Sequence, residues 1–299
     1  MTTSPTQTAL ALIEIARPKQ WVKNAFVFAA LIFSQSIFDV SAVLNAAAAF
    51  ALFCLYSSCV YMMNDIADVE RDRQHPKKRN RPLPSGRLRI PAVIFAAVVL
   101  FIVASLGSAL LSLNFLYIGL AYFAANIVYS FVCRSVVILD GMIIALGFLL
   151  RLYAGALVIG AEVSDWLYLC GLFVSLFLAF CKRRHEIILL GEESAGDHRA
   201  ILKEYSTQFL DQIISIVTAS TAVTYSLYCL DKSQTVDNHH DGLMLTIPFV
   251  LYGLLRYLYL VYQRDEGGNP SELLLSDKPI LINGVLWLGV VFWALYIRA

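Results

Sequence analysis

Long apolar stretches separated by short polar connections dominate the chain. Nine of them approach the about 20 residues that a helix needs to cross a hydrocarbon core, at roughly 21–38, 42–64, 91–112, 114–133, 137–160, 165–182, 209–230, 243–262 and 279–297. Backbone polar groups in lipid must be satisfied within the segment, so a helical bundle is expected. The stretches 91–112 and 114–133 have almost no linker, which predicts a tight helical hairpin around Ser112-Leu113-Asn114. Two polar insertions stand out by length, 65–90 and 183–208. With no soluble domain and no sequence repeat visible, residues 1–299 are expected to form a single transmembrane domain, its two long loops capping one end.

Composition agrees. Of the 299 residues 59% are hydrophobic and 15% charged, with a mean hydropathy of +0.67, which describes an integral, all-α polytopic membrane protein. The first 16 residues lack a basic n-region, so no cleavable signal peptide is expected. The net charge of +1 conceals an asymmetry. Of the 23 Lys and Arg, Arg151 and Arg256 fall within spans and Lys232 and Arg298 on one side; all the others share the opposite side. By the positive-inside rule that side faces the cytoplasm, with the N-terminus and both long loops. The plasma (inner) membrane is the expected location. Basic residues confined to short loops between spans argue against nucleic acid as a partner. The six cysteines lie mostly in apolar runs without a CxxC pair and read as reduced thiols.

The densest chemistry is Asn64-Asp65-Ile66-Ala67-Asp68-Val69-Glu70-Arg71-Asp72, where the second apolar stretch ends. On a helix Asn64, Asp65, Asp68 and Asp72 share one face, placing an amide and three carboxylates within about two turns. Carboxylates that close resist ionising together unless a cation compensates them. A solvated helix end paired with Arg71, Arg73 and Lys77 would explain acids in water, but these acids abut lipid. Hard Mg²⁺ with its oxygen ligands, often carrying a phosphate, fits better. Asn64, Asp65, Asp68 and Asp72 are the expected ligands, with Glu70 off the face.

Basic groups follow. Lys77, Lys78, Arg79 and Arg81 precede Pro82, Pro84 and Gly86; Arg79 and Arg81 suit bidentate grip on phosphate oxygens. Orientation and attraction to anionic headgroups explain such a loop equally well. A second cluster, Lys182-Arg183-Arg184-His185-Glu186, closes the sixth stretch, where cations also complement the helix dipole. Lys182 and Arg183 are phosphate candidates, and Glu186 would fix Lys182 or add an oxygen ligand. Intramembrane polar groups point to a cavity at the cytoplasmic side: Asn126, Ser130 and Arg134 at four-residue spacing with Tyr129 beside them, and Asp140 and Arg151 on one face but about 16 Å apart. Arg256 reads as snorkelling or paired. In Arg17-Pro18-Lys19-Gln20-Trp21-Val22-Lys23-Asn24, Trp21 and Lys19 anchor the interface, and Lys23 and Asn24 sit deeper, in reach of an anionic substrate.

These residues resemble the UbiA-type superfamily of polytopic transferases, whose first signature, NDxxDxxxD, ends the second span. Typical members carry a second motif, DxxxD, after the sixth span; here the place holds Lys182–Glu186, then Glu192, Glu193 and Asp197. The chain is more similar to the decaprenyl-phosphate phosphoribosyltransferase branch, through Arg17–Asn24, Asn64–Gly86, Asp140 to Arg151, and the cluster after the sixth span. That resemblance implies transfer of 5-phosphoribose from 5-phosphoribosyl diphosphate (PRPP) to a polyprenyl phosphate, with Mg²⁺ as cofactor and release of diphosphate, a step that feeds cell-wall precursors in that branch. It would place Asp140 where it stabilises the ribosyl cation or binds a ribose hydroxyl, and would have the lipid tail enter sideways between spans. A homo-oligomer is left open. The alternative enzyme is a prenyltransferase moving an isoprenoid chain to an aromatic or other acceptor. A secondary transporter is the reading from another class, disfavoured by the absence of repeated halves and by acids gathered at one surface; a non-catalytic scaffold would leave the three carboxylates unexplained.

Overall fold

The computed structural model describes residues 5–74, 78–190, 200–234, 240–268 and 270–297, and among them the regular structure is helical. Among the described residues eight helices are long and apolar enough to cross a membrane. They correspond to the second to ninth expected stretches: α3 (Val40–Ala67), α5 (Ile90–Leu111), α6 (Leu113–Phe131), α7 (Leu139–Ile159), α8 (Asp165–Leu190), α9 (Thr207–Gln234), α10 (Ile247–Gln263) and α12 (Lys278–Phe292, continued by a π turn over Trp293–Ile297). Shorter helices are α1 (Pro5–Ala16), α2 (Ala29–Phe33), α4 (Val69–Gln74) and α11 (Pro270–Ser276).

The first stretch, expected at 21–38, takes another form: a 3-10 helix over Pro18–Phe28 leads into α2. A 3-10 helix rises about 2.0 Å per residue against about 1.5 Å for an α-helix. These two pieces therefore extend over about 30 Å, the thickness of a hydrocarbon core. Three residues per turn stack Trp21, Asn24 and Val27 in one column. Trp21 Nε1 donates to Ser58 Oγ at 3.1 Å, and Asn24 Nδ2 donates to Ser57 Oγ at 3.2 Å. Polar partners on α3 thus hold a segment that α-helical packing does not.

The chain forms two compact units. The first comprises residues 1–31, 36–131 and 153–161. Its spine is α3, where Ala42, Ala46, Ala49, Phe53, Tyr56 and Val60 are all buried at helical spacing. Small residues let neighbouring backbones come close, as membrane helices require. Asp39 starts α3 by accepting from Ser41 N–H at 2.8 Å. The expected hairpin is present: α5 ends at Leu111, only Ser112 intervenes, in an extended conformation, and α6 begins at Leu113. Where α6 meets α3, a side chain on Gly119 would collide with the Tyr56 ring, which bonds through its hydroxyl to Ser108 Oγ at 3.3 Å.

The second unit comprises residues 32–35, 132–152 and 162–299. Helices α8 and α9 form its main pair, and Phe177, Ile214, Tyr257 and Leu260 sit in its core. Arg256 is paired, as its two readings allowed: its guanidinium meets the Asp277 carboxylate at 2.8 Å, and Asp277 also caps α12 by accepting from Ile280 N–H. The six cysteines are all free.

Candidate active site

In the first unit α3 carries Asn64 and Asp65 to its last turn and then yields at Asp68, whose φ of −98° and ψ of 6° leave the helical region. Hydrogen bonding stays nearly in phase, with Asp68 N–H donating to Asn64 O at 2.9 Å and Asp72 N–H to Asp68 O at 2.8 Å. The kink divides the acids. Asp65 and Asp72 are buried. The Asp68 side chain is partly exposed and lies 3.5 Å from Arg71. Glu70, expected off the face, is exposed and pairs with Arg73. Asn64 Oδ1 accepts from the Ser130 hydroxyl at 2.7 Å, tying the acidic turn to α6.

Buried carboxylates need paired cations, because an isolated charge in a low dielectric is prohibitively costly. Arg81 supplies one. Its Nη1 donates to Asp72 Oδ2 at 2.6 Å and to Asp65 Oδ1 at 3.3 Å, so the two carboxylates converge on a single nitrogen. Lys78 Nζ lies 3.8 Å from Asp72 Oδ1. Arg17, whose place in the interfacial segment gave no sign of a carboxylate partner, donates from Nη2 to Asp65 Oδ1. It stands between α1 and Pro18 in the left-handed region (φ 54°, ψ 60°), which costs a non-glycine residue energy and is further disfavoured before proline. The Asp65 bond and the Tyr61 ring, 5.2 Å from its guanidinium, hold it there.

The basic loop that delivers Arg81 is itself clamped. Arg87 makes a bidentate pair with Glu14 of α1 at 2.6 and 2.9 Å and donates to Asn80 O at 2.7 Å. Leu83 and Leu88 bury against Ile15, Met62 and Val93, and Gly86, at φ +77°, makes the turn. Arg79 is exposed on the 3-10 turn Lys78–Asn80. Lys77 lies outside the described residues. Lys23 and Tyr129 are half-buried, whereas Asn24 is fully buried and bonded to α3.

The second unit holds the other cluster. Asp140, in the first turn of α7, is fully buried, and both its oxygens are engaged: Oδ2 accepts from Arg183 Nε at 2.7 Å and Oδ1 from the Tyr205 hydroxyl at 2.8 Å. Arg183 Nη1 also donates to Glu186 Oε2 at 2.7 Å, and Lys182 Nζ lies 3.9 Å from Glu186 Oε1. The spacing-based link between Lys182 and Glu186 is present, but Arg183 is the more firmly held residue. Burial raises the pKa of Tyr205 above its ordinary value, so the phenol stays a donor at neutral pH.

One spacing does not carry through. Helix α6 ends at Phe131, so Arg134 does not continue the row of Asn126 and Ser130; it occupies a separate 3-10 turn, Cys133–Ser135. Asp140 and Arg151, which helical rise sets about 16 Å apart, have separate partners, and Arg151, also buried, donates to the Gly147 carbonyl at 2.7 Å. Arg17 and Tyr205 are the residues missed. Their carboxylate partners lie 48 and 65 positions away, beyond any local pattern.

The donor set suits a hard divalent cation. Asp65 and Asp72 already share one positive group, and Asn64 and Asp68 are their neighbours on the same turns. Among the described residues no three carboxylate, histidine or cysteine side chains are grouped for chelation.

Comparison with known proteins follows the same lines. A profile of the UbiA prenyltransferase family matches residues 24–275. The chain is 33% identical to decaprenyl-phosphate phosphoribosyltransferase of Corynebacterium glutamicum, over 98% of this chain and 89% of that one. It is 31% identical to the Mycolicibacterium smegmatis protein of the same name, over 98% and 94%. A solved structure of a UbiA homolog from Archaeoglobus fulgidus, bound to GPP and Mg²⁺, superposes with a TM-score of 0.72 over 95% of this chain and 99% of that one. At 17% identity that likeness speaks for the fold alone.

Proposed function

This chain belongs to the UbiA prenyltransferase family and is a multi-pass membrane transferase, and from that premise we propose that it transfers 5-phosphoribose from PRPP to a polyprenyl phosphate of decaprenyl type. The C1–O bond to diphosphate breaks, diphosphate leaves with the electron pair, and a lipid phosphate oxygen forms the new bond to C1. The lipid phosphate is anionic at neutral pH, so no strong general base is needed. The whole chain acts as one transmembrane domain, in the plasma membrane with its N-terminus inside, as the distribution of Lys and Arg supports.

The observation that carries this reading is the buried Arg183, held by Asp140 and Glu186 beside Lys182, a cationic cluster within the second unit. A prenyl diphosphate has one anionic end, whereas PRPP has two, and the second needs cations of its own. Asn64, Asp65, Asp68 and Asp72 would hold Mg²⁺, which when bound offsets the charge that develops on the departing diphosphate. Lys77, Arg79 and Arg81 attract the same leaving group. Lys182 and Arg183 take the 5-phosphate, with the guanidinium fork oriented by its acids. Lys23, Tyr129 and Arg134 are half-buried, open enough to meet substrate. Asp140, whose two oxygens are both engaged, one of them by Arg183 itself, is better assigned to orienting Arg183 than to meeting the ribosyl cation.

Purified protein is incubated with labelled PRPP, polyprenyl phosphate and Mg²⁺, and in parallel with prenyl diphosphate and aromatic acids. Lipid-linked phosphoribose in the first mixture, identified by mass and lost with chelator, is expected. Product in the second mixture alone would replace this reading with prenyl transfer.

A further inference from the structure

Tyr205 stands between the 3-10 turn Ala200–Glu204 and α9, almost wholly buried. Its ring packs on Phe209, with centroids 6.2 Å apart and planes at 21°, and meets Phe180 edge-on at 6.5 Å. The hydroxyl faces two partners at once, accepting from Ile138 N–H at 2.6 Å and donating to Asp140 Oδ1 at 2.8 Å. Ile138 has φ +68°, a left-handed conformation that a β-branched residue rarely adopts. Such backbone persists only where the surroundings over-determine it, and it clusters at functional sites.

The bonds form one path: Ile138 backbone, Tyr205 hydroxyl, Asp140 carboxylate, Arg183 guanidinium. A carboxylate pinned at one oxygen cannot swivel, so the direction of its other oxygen is fixed. That oxygen receives Arg183 Nε, and Glu186 fixes Nη1. The fork is therefore set by a residue that follows it by 22 positions and by a strained turn that precedes it by 45. We propose that Tyr205 is a positioning residue that orients the Asp140 carboxylate, and through it the Arg183 fork, toward the 5-phosphate of the donor. This rests on the assignment of Arg183 to that phosphate.

The test compares steady-state kinetics for PRPP in wild type, Tyr205→Phe, Asp140→Asn, Arg183→Lys and the Tyr205→Phe/Arg183→Lys double variant. Lysine keeps the charge of Arg183 but lacks the fork that Tyr205 sets. Tyr205→Phe and Asp140→Asn should each raise KM for PRPP about five-fold or more while kcat stays within about two-fold. Arg183→Lys should raise KM as well, and adding Tyr205→Phe to it should raise KM no further, the coupling expected of one path. If Arg183→Lys raises KM while Tyr205→Phe and Asp140→Asn leave it unchanged, the positioning role is overturned and the phosphate assignment stands. Multiplying effects in the double variant, or a fall in kcat at constant KM, also overturn it. If Arg183→Lys leaves KM unchanged, or PRPP is not a substrate, the phosphate assignment itself fails. Should Tyr205→Phe not accumulate, Phe209→Leu, which loosens the seat of the Tyr205 ring and keeps its hydroxyl and the Asp140 charge, is measured instead: a raised KM at constant kcat supports the role and an unchanged KM overturns it.

Discussion

Replacing Asp65 by Asn separates a structural acid from a working one. The side chain is 4% exposed and receives Arg17 and Arg81, which are 28% and 32% exposed. A hydrogen bond to a charged group contributes about 1.5–3 kcal/mol, less where its partner is wetted. Asparagine keeps an acceptor oxygen, and Arg81 keeps Asp72 at 2.6 Å. The net loss of stability should therefore be about 1–2 kcal/mol, a fall of a few degrees in apparent melting temperature, roughly 2–4 °C per kcal/mol for a large domain. If Asp65 holds the cation at the leaving diphosphate, turnover should fall at least about 10³-fold, equivalent to about 4 kcal/mol in the barrier. Initial rates with labelled PRPP and polyprenyl phosphate, beside melting curves of the same detergent-solubilised preparations, read both quantities. A rate loss below about ten-fold, worth about 1.4 kcal/mol, would match the lost ion pairing alone and remove Asp65 from the metal assignment.

Lys182→Ala should raise KM for PRPP with little change in melting, because the side chain is half exposed and its Glu186 contact is 3.9 Å; unchanged KM would return it to a topological role. Asp140→Ala should be the most damaging change to the second unit. It strands Arg183, which is buried, leaving Glu186 as a partner on one side, and the cost of about 3–5 kcal/mol should appear as low yield and early melting; wild-type melting would refute the buried pair. The hydrogen bond from Arg256 holds the Asp277 carboxyl below the usual carboxylate range. Its contribution is present above about pH 4 and is lost as pH falls through the lower folded-state value. Asp277→Asn should thus melt earlier than wild type at pH 7, with the gap closing below about pH 4; a constant gap would show that the ion pair contributes nothing.

Much of the fold was legible because lipid imposes a length on each apolar run, and Ser112 could only mark a hairpin between two such runs. The first span was not legible in its form, since hydropathy does not distinguish 2.0 Å from 1.5 Å of rise per residue. The acidic turn was visible as spacing, and Glu70 fell where a helical wheel put it. The kink at Asp68 was hidden, because nothing local forbids another turn there. Row logic failed at Arg134, where the helix stopped one turn short. Arg17 and Tyr205 stayed invisible for another reason: their importance comes from partners that only the folded chain brings near.

Gly155 of α7 faces the 3-10 column. A methyl group built on it would sit 1.9 Å from the Val27 carbonyl oxygen, inside any permissible contact. Backbone meets backbone there, with no flexible side chain to absorb an addition. Even alanine must lever the Pro18–Phe28 rod off its seat, and Asn24 and Lys23 ride on that rod. A single hydrogen atom at position 155 thereby sets the depth at which the first segment of the chain can present its lysine.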